Sequence, residues 1–369
     1  MPRYASCLMV ALVPLLGSSV IGTPKKTASS PREAVEAQQR KQEAIETLRR
    51  LGAFVSADGR KVDLYDTERI SGADGPFWKG GDADLVHLKW LTDLHDLNLI
   101  LTGTTDAGLV HLKPLKHLRR LNLCGNPKVT DAGLIHVGEL DQLEDLALVS
   151  TAVTDAGVTH LKRLTKLRKL GLGVTGGRRI QISDAALQSL RAMKHLKVLN
   201  LSGTQITDRG LDRLKSLRNL ERLYIAHTDI TDDGLQSLAH LDQLHTLWLA
   251  DTRISGLGLS HLNRLPKLRV LSLQNTELND AGLTGLKALT NLESLSIADT
   301  KITDQGLAHL KGLTKLRTLH LHRTKLTDNS LNHLNGLTAL RSLNLQNTHV
   351  TDEGVKDLQK ALPNCRIEK

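Results

Sequence analysis

Leu199-Asn200-Leu201-Ser202-Gly203-Thr204-Gln205-Ile206-Thr207-Asp208-Arg209-Gly210-Leu211 is one frame of a pattern that runs through most of the chain. The same frame returns at 223–235, 295–307, 319–331 and 343–355. Its Thr-Asp step, or a close variant, places Asp106, Asp131, Asp155, Asp184, Asp208, Asp232, Asp280, Asp304, Asp328 and Asp352, mostly 24 residues apart. One register departs: Ser255-Gly256 has no Asp. Self-similarity at this period is the mark of a solenoid, in which no unit buries a core alone and stacking builds a continuous one.

Each position has a physical reading. Leu199 and Leu201 alternate with polar residues, the period of a short strand. Thr204 stands where the chain leaves the strand, and its hydroxyl is expected to satisfy backbone groups of the neighbouring coil. Thr207 and Asp208 read as the N-cap of a helix, and the whole aspartate column is expected to cap in this way. Leu211, Leu214, Leu217 and Leu220 follow at three-residue steps, so the helix should tighten before the next strand.

The form Leu-x-Leu-x-x-Thr-x-Ile-Thr-Asp-x-Gly-Leu resembles the leucine-rich repeat family. It is similar to the subclass shared by ribonuclease-inhibitor-like proteins, F-box-associated repeats and exported bacterial proteins. The resemblance covers about residues 82–369. It implies a binding scaffold, since members mostly bind other proteins. The family's usual Asn after the strand is Thr here, except at Asn126. The expected fold class is α/β. Parallel strands stack about 4.8 Å apart and helices need about 8–10 Å. A right-handed leucine-rich-repeat solenoid, or horseshoe, therefore follows, with a parallel sheet on the concave face and short helices on the convex face.

Ahead of the array, residues 1–22 carry one charge, Arg3, and an apolar stretch from Ala5 to Leu16, and read as a signal peptide or an uncleaved anchor. The chain is accordingly expected to be exported, to the periplasm, cell envelope or outside. A linker spans 23–31. An N-terminal helix and irregular capping region spans 32–81, opened by the capping box Ser30-Pro31-Arg32-Glu33. The helix stripe Ala44, Ile45, Leu48 and Leu51 should cover the open end of the first repeat. Phe54-Val55 and Val62 to Leu64, around Asp58-Gly59, read as strands of an irregular first coil. The array fills 82–369, closed by a cap strand near 362–367.

The formal charge of +10 invites a nucleic-acid reading. Yet many cations, such as Lys162, Arg163, Lys166, Arg168 and Lys169, fall where helix passes into strand, and the acids fall at helix starts. Both placements suit helix dipoles. The array has no interleaved aromatics for stacking bases, so no nucleic acid is expected. Cys124 and Cys365 stand at opposite ends of the array, too far apart for a bridge.

Chemistry is sparse. Gly171-x-Gly173-x-x-Gly176 matches a dinucleotide fingerprint by letter only, without a crossover unit. Beside it this repeat carries five extra residues between Thr175 and Ile182, and Arg178 and Arg179 in that insertion are candidate contacts. His87, His111, His136, His160, His261, His309 and His333 form a column on the helices, read as surface. His320-Leu321-His322 is different. Both imidazoles face one side of a strand, with Asp299 on the neighbouring strand, a spacing that could hold a metal but more often marks a protein contact. There is no nucleophile elbow, phosphate loop or zinc-protease motif. The chain is read as non-catalytic, with no cofactor and no metal.

The residue between the two strand leucines points into the concavity: Asn98, Asn122, Ala147, Gly171, Asn200, Tyr224, Trp248, Ser272, Ser296, His320, Asn344. From Tyr224 onward the column turns bulky and polar, and folding does not require this. The candidate partner-binding set is Tyr224, His227, Trp248, Asp251, Gln274, Asn275, Asp299, His320, His322 and Arg323, for a protein or peptide ligand on a monomer. An anchored scaffold without a discrete ligand, and a binder of anionic polymer through the basic edge, are the alternatives. Asp96, Arg120, Asp145 and Lys169 alternate in sign on successive strands and are expected to form a cross-strand ladder. At Ser255-Gly256 the missing acid should loosen the helix starting near Leu257, so that Gly256→Asp would stabilise it.

Overall fold

The computed structural model describes residues 30–64, 78–174 and 179–369. The chain forms two compact units, Met1–Gly171 and Leu172–Lys369. The signal segment, most of the linker and Arg178 lie outside the described residues.

The first unit opens with α1, Pro31–Arg50. Its capping box is reciprocal: the Glu33 N–H donates to Ser30 Oγ (3.3 Å), and the Ser30 N–H donates to the Glu33 carboxylate (2.8 Å). Gly52, at φ 99°, lets the chain leave the helix. Ala44, Ile45 and Leu48 are buried, and α1 packs on the 3-10 helix Asp82–Trp90, where Leu85 and Leu88 are buried in turn. Arg40 also lies 5.0 Å above the Trp90 ring. The helix thus covers the first repeat as expected. β1 (Phe54–Val55) and β2 (Lys61–Asp63) form an antiparallel hairpin. β2 then pairs in parallel with β3 (Asp96–Asn98), and β4 (Arg120–Asn122), β5 (Asp145–Ala147) and β6 (Lys169–Gly171) follow in parallel register.

The second unit holds β7 (Val198–Asn200), β8 (Arg222–Tyr224), β9 (Thr246–Trp248), β10 (Val270–Ser272), β11 (Ser294–Ser296), β12 (Thr318–His320), β13 (Ser342–Asn344) and β14 (Arg366–Glu368). All pair in parallel with their sequence neighbours. One repeat shows why. Leu199, Leu201, Ile206, Leu211, Leu214, Leu217 and Leu220 are all buried. The helix Asp208–Asp212 tightens into 3-10 form over Arg213–Ser216, which brings the leucines at three-residue steps onto one side. Burying each leucine side chain contributes about 1.5–3 kcal/mol.

Two expectations about the polar columns need correcting. The Thr204 hydroxyl does not reach the neighbouring coil; it donates to the Leu201 carbonyl of its own strand (2.6 Å). Thr228, Thr252, Thr276, Thr300 and Thr324 do the same. The threonine side chain is too short to do more. Asn126, one bond longer, donates to Leu123 O of its own coil (3.0 Å) and to Leu99 O of the preceding one (2.7 Å).

The aspartate column does not cap its own helices. The cap is the residue before it: Thr130 Oγ1, for example, accepts from the Ala132 N–H, as Thr231 Oγ1 does from the Asp233 N–H. Eight of these carboxylates, counting Asp82, instead reach forward one repeat to a threonine. Asp208 Oδ1 accepts the Thr231 N–H (2.9 Å) and Asp208 Oδ2 accepts the Thr231 hydroxyl (2.7 Å). In the second unit the same clamp joins Asp184 to Thr207, Asp280 to Thr303, Asp304 to Thr327 and Asp328 to Thr351. In the first it joins Asp82 to Thr105, Asp106 to Thr130 and Asp131 to Thr154. Asp82 therefore heads the column. The motif's glycine follows from the clamp. A Cβ at Gly210 or Gly234 would collide with the carboxylate of Asp184 or Asp208.

At the departing register the structure reverses the expectation. Asp232 takes four donors: the Ser255 hydroxyl (2.7 Å) and the N–H groups of Ser255 (2.9 Å), Gly256 (3.1 Å) and Gly258 (2.8 Å). Burial works to raise its pKa, but these hydrogen bonds outweigh it and hold the carboxyl below its usual value. The helix starts late, at Leu259, and Leu257 is 81% exposed. Gly256 has φ 106°, and a Cβ there would come within 2.7 Å of Leu278 Cδ1 and collide with Gly282 Cα. Gly256→Asp is thus excluded as a stabilising change. Nothing carboxylic joins this repeat to Asn279, and close glycine packing takes the clamp's place.

At the C-terminus the last strand begins four residues later than the expected 362–367 segment. Helix Asp352–Ala361 leads into β14, which pairs with β13. Cys124 and Cys365 are buried, and neither forms a disulfide among the described residues.

Candidate partner-binding face

In the first unit the charge ladder forms as expected. Arg120 pairs with Asp96 at 2.8 Å and Lys169 with Asp145 at 3.2 Å. Burial pushes the Asp145 carboxyl up in spite of Lys169. The mid-strand positions here are Asn98, Asn122, Ala147 and Gly171. Both asparagines turn back on their own backbone: Asn98 Oδ1 accepts the Ile100 N–H (3.2 Å) and Asn122 Oδ1 the Cys124 N–H (3.0 Å). This face is small and self-satisfied.

The second unit differs. Tyr224 and Trp248 are cross-strand partners on β8 and β9. Their rings meet edge to face at 83°, with centroids 5.0 Å apart, and both stay half-buried while Leu223 and Leu247 fill the core. Such a pair contributes about 0.5–1.5 kcal/mol beyond its area. Burial raises the Tyr224 hydroxyl pKa, so it remains a neutral donor. Onward in register come Ser272, Ser296 and His320.

Three residues beyond each of these positions the backbone turns left-handed. His227, Asp251, Asn275, Asp299, Arg323 and Asn347 have φ between 52° and 57°. Sequence reasoning gave these residues a place but not this conformation. Asn and Asp tolerate it, and Gly203 occupies the equivalent position at φ 71°. His227 and Arg323 do so at a cost of about 1–2 kcal/mol each.

The side chains of this column interact. His227 Nε2 lies 3.3 Å from Asp251, whose other oxygen is hydrogen-bonded by Asn275. Asp299 is less committed. Arg323 stands 3.7 Å from it and His322 3.8 Å, both beyond hydrogen-bond length. His320 and His322 share a face, with ring centroids 6.3 Å apart. Burial, then the charge of His322, depresses the His320 pKa. His322 Nδ1 is buried with no partner. Gln274 is half-buried beside Asn275. The candidate set is therefore brought together along adjacent strands of one unit.

Of the two arginines singled out in the insertion, Arg179 lies among the described residues. Arg179 is held by a bidentate pair to Asp229 (2.6 and 3.0 Å), which also binds Arg253 (3.0 Å). The hydrogen bond from Arg179 is the main cause that lowers the Asp229 pKa. The guanidinium proposed for a partner is thus engaged within the chain. Along the basic edge Lys197 meets Glu221 at 2.6 Å and Arg269 meets Glu293 at 3.3 Å, while Lys315 donates to Asn291 at 2.7 Å. These cations reach neighbouring repeats.

A sheet face of this kind can do three things chemically: stack, exchange hydrogen bonds and pair charges. These are the tools of recognition. The sequence matches the family described as a leucine-rich repeat region over residues 91–283 and again over 180–366, and the chain belongs to that family. Among solved structures it is similar to an internalin from Listeria monocytogenes, with 21% identity over 89% of this chain and 88% of that chain and a TM-score of 0.58. It is also similar to a leucine-rich repeat protein from Leptospira interrogans, with 20% identity over 77% and 80% of the two chains and a TM-score of 0.50. At these identities the likeness is one of fold. No curated protein matches the chain.

Proposed function

We propose that the chain is an exported, non-catalytic scaffold that binds a protein or peptide on the open sheet face of its second unit. The observation that carries this is the Tyr224–Trp248 pair. It is large, half-exposed and on strands whose core is built by other residues. Aromatics of this kind, with an arginine close by, dominate binding energy at interfaces. The internal engagement of Lys197, Arg269 and Lys315 disfavours the anionic-polymer alternative. Export rests on residues 1–22; among the described residues no helix is long and apolar enough to cross a membrane.

The test is affinity capture of a partner from the native cell envelope, followed by titration with Trp248→Ala, Tyr224→Ala and Arg323→Ala. Each should retain the fold and lose on the order of 1–3 kcal/mol of affinity. Three variants that bind like wild type would place the interface elsewhere.

A further inference from the structure

The mid-strand asparagines reveal where an acceptor fits on this face. Asn200 Oδ1 takes the Ser202 N–H at 2.9 Å, and Asn344 Oδ1 takes that of Gln346 at 2.9 Å. In the repeats between them the position is Tyr, Trp, Ser, Ser and His, none of which returns to its backbone. Among the described residues no acceptor meets the N–H groups of Ala226, Ala250, Gln274, Ala298 or His322. Ala226 and Ala298 are covered, but Ala250, Gln274 and His322 are half-exposed. Val149 and Gly173, both buried, also meet no acceptor among the described residues; from Ala226 to His322 five successive registers share this. An unpaired peptide N–H is a strong donor that must find an acceptor.

Between two rings this stretch also drops to small side chains, a shallow recess by residue size. Ser272 and Ser296 lie between Trp248 and His320 in register, so two small residues separate two rings about 14 Å apart. Asp251 and Asp299 stand in the left-handed column beside it. Asp251 is satisfied by Asn275 and His227, whereas among the described residues the Asp299 carboxylate has only the two long contacts, one of them to an Arg323 side chain that is 65% exposed and can turn away.

Resting on the proposed peptide-binding role, we infer that the occupant is an extended peptide carrying a basic side chain. Its backbone carbonyls accept from the Ala250 and Gln274 N–H groups. Its lysine or arginine enters the recess over Ser272 and Ser296, against Trp248, and pairs with Asp299. Charge complementarity selects this occupant: the recess joins an aromatic ring and an incompletely paired carboxylate, both of which attract a cation.

The experiment uses a library of random twelve-residue peptides, displayed on phage and selected on the full chain. Selected peptides are synthesised and titrated by calorimetry. Lysine or arginine should be enriched. Ser272→Asn supplies the internal acceptor seen at Asn200, and should weaken binding about fivefold without lowering the melting temperature. It should also slow hydrogen exchange at Gln274. Ser272→Ala, which leaves that N–H open, should bind like wild type. Asp299→Asn should weaken binding about tenfold. Peptides without basic residues, or equal affinity for Ser272→Asn and Asp299→Asn, overturn the inference, even where Trp248→Ala abolishes binding and the broader role stands. Failure to select any peptide overturns the inference, while the broader protein-binding role stands or falls with the capture experiment.

Discussion

Replacing Asp208 by Ala probes the clamp that joins successive repeats. In the structure its two oxygens take the N–H and the hydroxyl of Thr231, at 2.9 and 2.7 Å. Hydrogen bonds to an ionised acceptor contribute about 1.5–3 kcal/mol each when part-buried. Solvent reaches this site, so the low end applies, and the variant should lose about 2–3 kcal/mol. A simple N-cap would cost about 1 kcal/mol. Asp208→Asn keeps the acceptor for the Thr231 N–H and should cost about half as much. The assay is urea unfolding followed by circular dichroism, run as a double-mutant cycle with Thr231→Val. Coupling between the two sites should reach about 1 kcal/mol, although they stand 23 residues apart in sequence. A loss of 1 kcal/mol or less with zero coupling would refute the inter-repeat role and restore the capping reading.

Three further outcomes follow from the same geometry. Gly256→Asp should destabilise the second unit by about 1–3 kcal/mol, because φ 106° and the collision with Gly282 oppose any side chain; a raised melting temperature would contradict this. His227→Gly and Arg323→Gly should leave stability unchanged or raise it by up to about 1 kcal/mol, since relief of the left-handed strain offsets the entropy lost on folding, and clear destabilisation of both would show that the column is not strained. The Asp229 pKa is depressed in the fold, so its pairing with Arg179 adds stability that is present above the unfolded pKa and lost as pH falls through the folded one. The melting-temperature gap between wild type and Asp229→Asn should therefore be open at pH 7, begin to narrow below about pH 4 and close only once the pH falls below the depressed folded value; a gap that does not narrow at all below about pH 4 would mean that the carboxylate's charge is not its source.

Much of this protein was legible from residue spacing alone. The Ser30 capping box is a local motif, and the 24-residue period, the buried leucine set and the pairing of Tyr224 with Trp248 depend on repetition along the chain. A repeat of fixed length stacks equal positions side by side, so a column in the sequence is already a row in space. What lay beyond the sequence is direction. Whether the Asp208 carboxylate turns to its own helix or to Thr231 of the next repeat depends on how closely coils pack, because both donors suit an aspartate. That Gly256 admits no side chain depends on Gly282 lying against it, 26 positions on. Likewise the left-handed turn at His227 and Arg323, the Arg179–Asp229 pair and the open N–H groups of Ala250 and Gln274 arise only when neighbouring coils set the backbone and bring distant side chains within a few ångströms. Periodicity determined which residues share a row. Contact between rows decided which of them are spent on holding the solenoid together and which remain for a partner.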